Sequence, residues 1–257
     1  MEYVVIPIVS FGASLLTFYS GFGLGTLLMP VMAIFFPLDA AVAVTAVVHF
    51  LNNLFKLVLV GRKADAGIIR RFGIPAVLSA LVGAWLLLRM QNLAPLFSYS
   101  IGSRACFVTT LKIAMAVIIM GFVILEERPF FTKLAIDPRW LPVGGVLSGF
   151  FGGLSGHQGA LRSAFLVKCG LGKESFIATG IVIACLVDFS RLGVYATHRP
   201  EADWGKQGGV LALAVIAAFS GAWFGNRILK KVTMGAVQRI VSLLLFAVAV
   251  ALGAGLI

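Results

Sequence analysis

Long apolar stretches dominate this 257-residue sequence and restrict what it can fold into. The hydrocarbon core of a bilayer is about 30 Å thick, and a helix of roughly 20 apolar residues crosses it. Six stretches meet this requirement, which predicts six transmembrane helices. They are Ala40–Val60, Phe72–Leu88, Phe107–Leu125, Ser175–Tyr195, Gly208–Phe224 and Ala236–Leu256.

Composition agrees with a membrane location. Hydrophobic residues make up 60% of the chain and charged residues 12%, whereas a soluble domain has about 25% charged residues. These values exclude a soluble domain, a disordered chain and a nucleic-acid-binding module. Cys106, Cys169 and Cys185 show no CxxC spacing and no nearby histidine ligand, so no metal site, disulfide framework or other cofactor is expected.

Two further stretches, Val4–Phe36 and Leu141–Val167, are too long for one simple span and contain glycine clusters. A helix broken inside a bilayer exposes backbone N–H groups, which cost several kcal/mol each unless they are satisfied. Such breaks could present N–H groups and a positive helix N-terminus to an anion. Alternatively, the glycines serve only to let helices approach closely.

The chain also contains an internal repeat. Four features recur after 135 residues: a Ser-Gly pair, an acidic residue, a polar residue, and a cation followed by leucine. A Gly-Ala-Trp motif recurs after 138 residues. This pattern predicts two copies of one unit, a broken segment followed by three helices, at residues 1–125 and 140–257, with a connecting loop at 126–139. The matched positions are Ser20-Gly21 and Ser155-Gly156, Asp39 and Glu174, Asn53 and Asp188, Lys56-Leu57 and Arg191-Leu192, and Gly83-Ala84-Trp85 and Gly221-Ala222-Trp223.

Loop charges favour an inverted relation between the two repeats. If each broken segment crosses the membrane once, the loop cations divide almost evenly between the two faces, against the positive-inside rule. If each broken segment returns as a hairpin, most of them collect on the cytoplasmic face and both termini lie outside. The cytoplasmic face then holds Arg62, Lys63, Arg70, Arg71, Arg128, Lys133, Arg139, Lys168, Lys173, Arg227, Lys230 and Lys231, and the outer face holds mainly Arg89, Arg104, Arg199 and Lys206.

The two breaks supply the first set of candidate substrate-binding residues. Their backbone amides could cradle an oxyanion, and the imidazole and amide side chains of the second break could contact its oxygens directly. These candidates are Gly21, Gly23, Gly25 and Thr26 in the first break, and Ser155, Gly156, His157, Gln158 and Gly159 in the second.

Two polar pairs within the predicted helices supply the second set. Asn53 with Lys56, and Asp188 with Arg191, are spaced three residues apart and therefore share a helix face. Both pairs lie near helix ends, so snorkelling to the interface is the alternative. His49 is either a satisfied packing residue or a proton carrier. Arg162 in the second broken segment is either an anion clamp or an interfacial charge.

One motif suggests an enzyme. The sequence GLSG at 153–156 fits the GxSG pattern of rhomboid-like intramembrane serine proteases, which also need a histidine base on a neighbouring helix. The only histidine on a later segment, His198, lies in a polar loop without that context. The sequence also has no HExxH zinc motif and no phosphate-binding GxxxxGK[ST] loop, so we expect no enzyme activity.

Together these motifs resemble the TauE/SafE family of sulfite and organosulfur anion exporters over essentially the whole chain. The resemblance rests on SGFGLG at 20–25 followed by Pro30, on GFFGGLSG at 149–156, and on the repeated GAW motif. Family members often carry a proline after the second glycine cluster, where this chain has Ala164 and Phe165. The resemblance implies a substrate such as sulfite, sulfoacetate or another small sulfur oxyanion.

The sequence therefore predicts an all-α polytopic protein of the cytoplasmic (inner) membrane that exports this anion as a secondary transporter. An anion channel or a membrane sensor that uses the same cavity is the alternative, and an intramembrane protease is a weaker one. The expected partners are the sulfur-containing anion and the lipid bilayer, with a homodimer as a further option. No nucleic acid, cofactor or metal is expected.

Overall fold

The computed structural model describes residues 1–20, 24–60, 63–102, 104–127, 136–197, 204–228 and 234–257, and most of these are helical. Several loop cations, Arg62, Arg128, Lys133, Arg199, Lys230 and Lys231, lie outside the described residues, as does most of the 126–139 connection. The helices are α1 (Glu2–Ser20), α2 (Leu24–Phe35), α3 (Leu38–Val60), α4 (Ala66–Gln91), α5 (Thr110–Glu127), α6 (Leu141–Ser155), α7 (Gly159–Leu166), α8 (Lys173–Thr197), α9 (Trp204–Ile228) and α10 (Met234–Gly253).

Four of these helices contain spans long and apolar enough to cross a membrane within the described residues: Leu38–Leu59, Ala66–Gln91, Lys173–Thr197 and Gly208–Arg227. Shorter apolar stretches lie in α1, α2, α5 and α10. The prediction of an all-α polytopic membrane protein is therefore confirmed. Helix α4 contains a π-helical turn at Ile69–Gly73, directly before Pro75, whose missing N–H cannot bond to the preceding turn.

The predicted span Phe107–Leu125 is wrong at its start. Residues Phe97–Ile101 and Arg104–Val108 form an antiparallel β-hairpin, and α5 begins only at Thr110. Gly102 has a φ of 60°, which suits the tight turn between the strands. A short apolar run does not distinguish a strand from the first turns of a helix, and this is why the boundary was misplaced.

The second broken segment forms a helical hairpin. Helix α6 ends at Ser155, and α7 then returns along it. The contact of the Phe165 ring with Gly144, near the start of α6, shows this return. Ser148 Oγ donates a hydrogen bond to Gln158 O at 2.9 Å, and Ile136 N donates to Ala164 O at 3.4 Å. Both bonds hold α7 against α6 and the residues that precede α6.

Helices α4 and α6 pack at backbone contact. A Cβ placed on Gly145, Gly149 or Gly153 would lie 2.0–2.2 Å from a carbonyl oxygen of α4. These three glycines are spaced four residues apart and so form one stripe along α6. In a bilayer, where lipid solvates apolar side chains, such close approach supplies van der Waals contact that larger residues would prevent.

The interface between α1 and α9 repeats the packing of α6 on α4. A Cβ on Gly83 of α4 would lie 2.2 Å from Phe150 O of α6, and a Cβ on Gly221 of α9 would lie 2.2 Å from Phe11 O of α1. Helix α1 packs on α9 as α6 packs on α4, while α3 contacts α8 and α5 contacts α10. Each contact thus has a counterpart in the other half, or joins corresponding helices of the two halves.

We expect Gly83→Ala and Gly221→Ala each to destabilise the fold by about 1–3 kcal/mol, as overpacking typically does. The added methyl group meets a backbone carbonyl that cannot rotate away. Gly121→Ala is the control, since a Cβ there meets nothing within 4 Å and alanine favours helix. Thermal unfolding in detergent measures the effect. Equal melting temperatures for all three variants would contradict the close packing.

Candidate functional site

The two glycine breaks meet inside the protein. A Cβ on Gly25, at the start of α2, would lie 3.5 Å from Gly156 O in the turn between α6 and α7. The same position is 3.9 Å from Cδ2 of His49 on α3. The first break, the second break and the middle of α3 therefore share one place in the interior.

Gly156 shapes the second break. Its φ of +81° is left-handed, and its N–H closes the last turn of α6 by donating to Gly152 O at 3.0 Å. Gln158 N donates to Gly156 O at 3.1 Å, after which α7 starts at Gly159. The Gln158 side chain does not cap this new helix, whose first amides have no partner within the helix.

The Asp188 carboxylate is the centre of the polar cluster at this place. His49 Nδ1 lies 2.5 Å from its Oδ2 atom. Gln158 Nε2 donates to Oδ1 at 3.2 Å, and Arg191 approaches the same oxygen with Nε at 3.0 Å and its terminal nitrogen at 2.8 Å. Asp188 is fully buried, so these protein donors replace the water it would bind outside.

Further polar side chains extend the cluster on both sides. Arg162 donates from a terminal nitrogen to Gln158 Oε1 at 3.3 Å, and Asn53 Nδ2 lies 3.2 Å from His49 Nδ1. With its amide oxygen facing Lys56, Asn52 accepts from Lys56 Nζ at 3.3 Å. The polar network therefore runs from α7 through α8 to α3.

The cluster carries excess positive charge. It contains three buried cations, Lys56, Arg162 and Arg191. Asp188 is the only buried acidic side chain in the part of the chain that the structure describes. Three positive charges against one negative charge give a formal +2 with neutral histidines, a state that favours binding of an anion.

Burial decides two alternatives that the sequence left open. Lys56 is 4% exposed, Arg191 is 1% exposed and Arg162 is 8% exposed, so none of them snorkels to the interface. Arg191 also donates to Gly152 O at 3.2 Å, which fixes its guanidinium against the end of α6. His49, left open between a satisfied packing residue and a proton carrier, contacts the buried carboxylate of Asp188.

The hydrogen bonds around Ser155 do not favour the protease alternative. His157 Nδ1 lies 3.1 Å from both Ser155 O and Ser155 Oγ, a contact that the sequence did not suggest. A carbonyl can only accept, so a hydrogen bond to Ser155 O requires the proton on Nδ1, and Nδ1 then cannot take a proton from Ser155 Oγ. The Ser155 hydroxyl in turn donates to Phe151 O at 3.0 Å. The serine is thus engaged with backbone and is not activated.

The remaining predicted site residues lie either outside the described residues or at the starts of two helices. Gly21 and Gly23 lie outside the described residues, while Thr26 and Gly159 are buried at the starts of α2 and α7. Sequence reasoning missed Tyr195, whose hydroxyl donates to Gly153 O, although it lies one turn after Arg191. Among the described residues, no three His, Cys, Asp or Glu side chains are grouped to hold a metal ion.

Comparison with protein families identifies the chain. The family model described as sulfite exporter TauE/SafE matches residues 6–252. The chain belongs to the TauE/SafE family. TauE/SafE proteins are transporters, so membership implies a multi-pass membrane protein that transports sulfite or related anions. Searches of curated proteins and of solved structures give no match.

In this TauE/SafE protein we expect Gly156→Ala to be more destabilising than an alanine substitution at another glycine with a left-handed backbone conformation. Alanine at φ +81° costs about 1–2 kcal/mol, and its Cβ would also lie 3.2 Å from an Arg191 nitrogen. Gly170→Ala, at φ +70° with nothing within 4 Å, isolates the backbone cost. Melting temperatures compare the two variants, and an equal decrease would show that Arg191 does not press on the turn.

Proposed function

We propose that this chain exports a small sulfur oxyanion, sulfite or a small organosulfonate, across the cytoplasmic (inner) membrane. The observation that carries the proposal is the buried +2 cluster at the place where the two broken segments meet. Excess buried charge is expensive unless a counterion binds. Family membership supplies the chemical class of that counterion.

Each part of the cluster has a role in this proposal. Arg162 lies beside the start of α7 and supplies a charged, forked donor that suits an oxyanion. The N-terminal amides of α7 add donors and a positive helix dipole. Gly25 brings the start of α2 close enough for its own amides to contribute from the other side.

We further propose that the chain consists of two inverted repeats, residues 1–125 and 140–257. The paired glycine contacts of Gly83 with Phe150 and of Gly221 with Phe11 support a two-fold relation. Arg89 stacks on Trp85 at 5.2 Å and Arg227 on Trp223 at 4.0 Å, again in corresponding places. Inverted repeats with broken helices meeting near the midplane are typical of secondary transporters.

Membrane potential is a sufficient driving force for export. The negative cytoplasm favours anion exit by about 2.3 kcal/mol per charge per 100 mV. The sequence contains no phosphate-binding loop for ATP. Transport downhill in potential therefore needs only a site that opens alternately to the two faces.

Counterflow in proteoliposomes tests the function. Vesicles loaded with unlabelled sulfite should take up labelled sulfite transiently and in a saturable manner. A channel would conduct without saturation and without counterflow, and a sensor would bind the anion without moving it. Either result would replace the exporter proposal with that alternative.

We expect Arg162→Gln to weaken sulfite binding by roughly ten- to a hundredfold, since a hydrogen bond to a charged group is worth about 1.5–3 kcal/mol. Arg71→Gln is the control, because it removes the same charge from an exposed position. Isothermal titration of sulfite into the purified variants measures both affinities. Equal affinity in the two variants would remove Arg162 from the site.

Topology is tested with single cysteines in a background without the three native ones. We expect cysteines at Lys63 and Lys168 to be labelled from the cytoplasm and one at Arg89 from outside. The return of α7 along α6 supports an arrangement with both ends of the second broken segment on one face. Labelling of Lys63 and Lys168 from opposite faces would mean that this segment crosses, and would exclude the inverted arrangement.

A further inference from the structure

The donors around Asp188 are the kind that bind an oxyanion. An imidazole, a carboxamide and a guanidinium, from His49, Gln158 and Arg191, all point at the two carboxylate oxygens. The contact distances run from 2.5 to 3.2 Å. Charged and neutral N–H donors converging on paired oxygens are the usual means of recognising carboxylates, sulfonates and phosphates.

These donors come from three separate parts of the fold. His49 lies on α3 in the first half, Gln158 lies in the turn between α6 and α7, and Arg191 lies on α8. Arg191 pairs with the carboxylate from three residues away on the same helix. The two additional donors come from other elements, so a set of converging N–H donors remains around this position when the carboxylate leaves it.

We propose that His49, Gln158 and Arg191 form the oxyanion receptor of the transporter, and that the Asp188 carboxylate occupies this receptor until the substrate displaces it. This inference rests on the proposed function and names the donor groups for its substrate. The displaced carboxylate stays inside the cluster, where the buried Lys56 and Arg162 keep its surroundings positively charged.

A carboxylate in this role explains how an empty carrier can change conformation. With Asp188 in the receptor the cluster carries +2, and without that carboxylate it would carry +3 in a buried site. Each additional uncompensated charge in a membrane interior is costly. Net export needs the empty carrier to return, whereas exchange of one anion for another never passes through the empty state. Asp188 should therefore matter for net export and not for exchange.

The first test is binding to purified Asp188→Asn protein. The amide removes the internal competitor, so sulfite should bind about tenfold more tightly or better, and small carboxylates such as formate should bind where the wild type shows none. Asp137→Asn removes the same charge at an exposed position and should bind as the wild type does. Unchanged or weaker binding by Asp188→Asn would overturn the inference.

The second test separates exchange from net transport in proteoliposomes. Asp188→Asn should keep sulfite counterflow within about twofold of wild type and lose most of its net efflux into anion-free medium. A purely structural role would lower both rates together, and that result would overturn the proposal. Net efflux equal to that of the wild type would also overturn it, because the empty carrier would then return without the carboxylate.

Wild-type protein supplies a measurement that does not depend on folding of the variant. Infrared difference spectra, recorded with and without saturating sulfite after labelling aspartate with carbon-13, should show a shift of a carboxylate stretching band. Asp188 is the only buried acidic group among the residues described, and its donors change when it leaves the receptor. Binding of sulfite without any carboxylate shift would reject the displacement. Failure of the wild type to bind any sulfur oxyanion would instead reject the proposed function.

Discussion

The buried carboxylate of Asp188 connects three elements at the centre of this protein. Asp188 is removed from water completely, so its charge must be balanced by donors of the protein itself. These donors come from α3, from the turn after α6 and from α8, and the carboxylate therefore fixes three elements relative to one another. Removing any one donor leaves a buried charge less well satisfied, which makes the cluster rigid as well as polar.

Glycine packing makes this cluster possible. The stripe of Gly145, Gly149 and Gly153 brings α6 into backbone contact with α4, so that α6 ends next to α8. Tyr195 and Arg191 of α8 then donate to Gly153 O and Gly152 O, the terminal carbonyls of α6. Backbone groups freed by the break are thereby satisfied by protein, as the membrane interior requires. The fold and the site thus depend on the same short segment.

Much of this arrangement follows from the sequence by simple rules. Apolar length predicts the spans, and glycine clusters at 21–25 and 152–159 predict the breaks. A common separation of 135 residues pairs Asn53 with Asp188, and both side chains lie in the polar cluster. These features are local or periodic, so a linear sequence records them directly.

Other features depend on three-dimensional contacts that have no local signature. His49 and Asp188 are 139 residues apart, and nothing near either residue predicts that they touch. Position near a helix end suggested that Lys56 and Arg191 reach the interface, but neighbouring helices cover them. The hairpin at 97–108 was missed because the apolar end of its second strand resembles the start of a membrane helix. In each case tertiary packing, absent from any sequence window, decides the outcome.

We propose that the oxyanion binds where the two breaks meet. Selenite has the shape and charge of sulfite, and its selenium atom scatters X-rays anomalously, so crystals soaked in selenite locate the anion directly. We expect one strong selenium peak beside Gly25 and Gly156, within hydrogen-bonding distance of His49, Gln158, Arg162 or Arg191. A selenium peak elsewhere in the protein, with none at this place under saturating selenite, would contradict it.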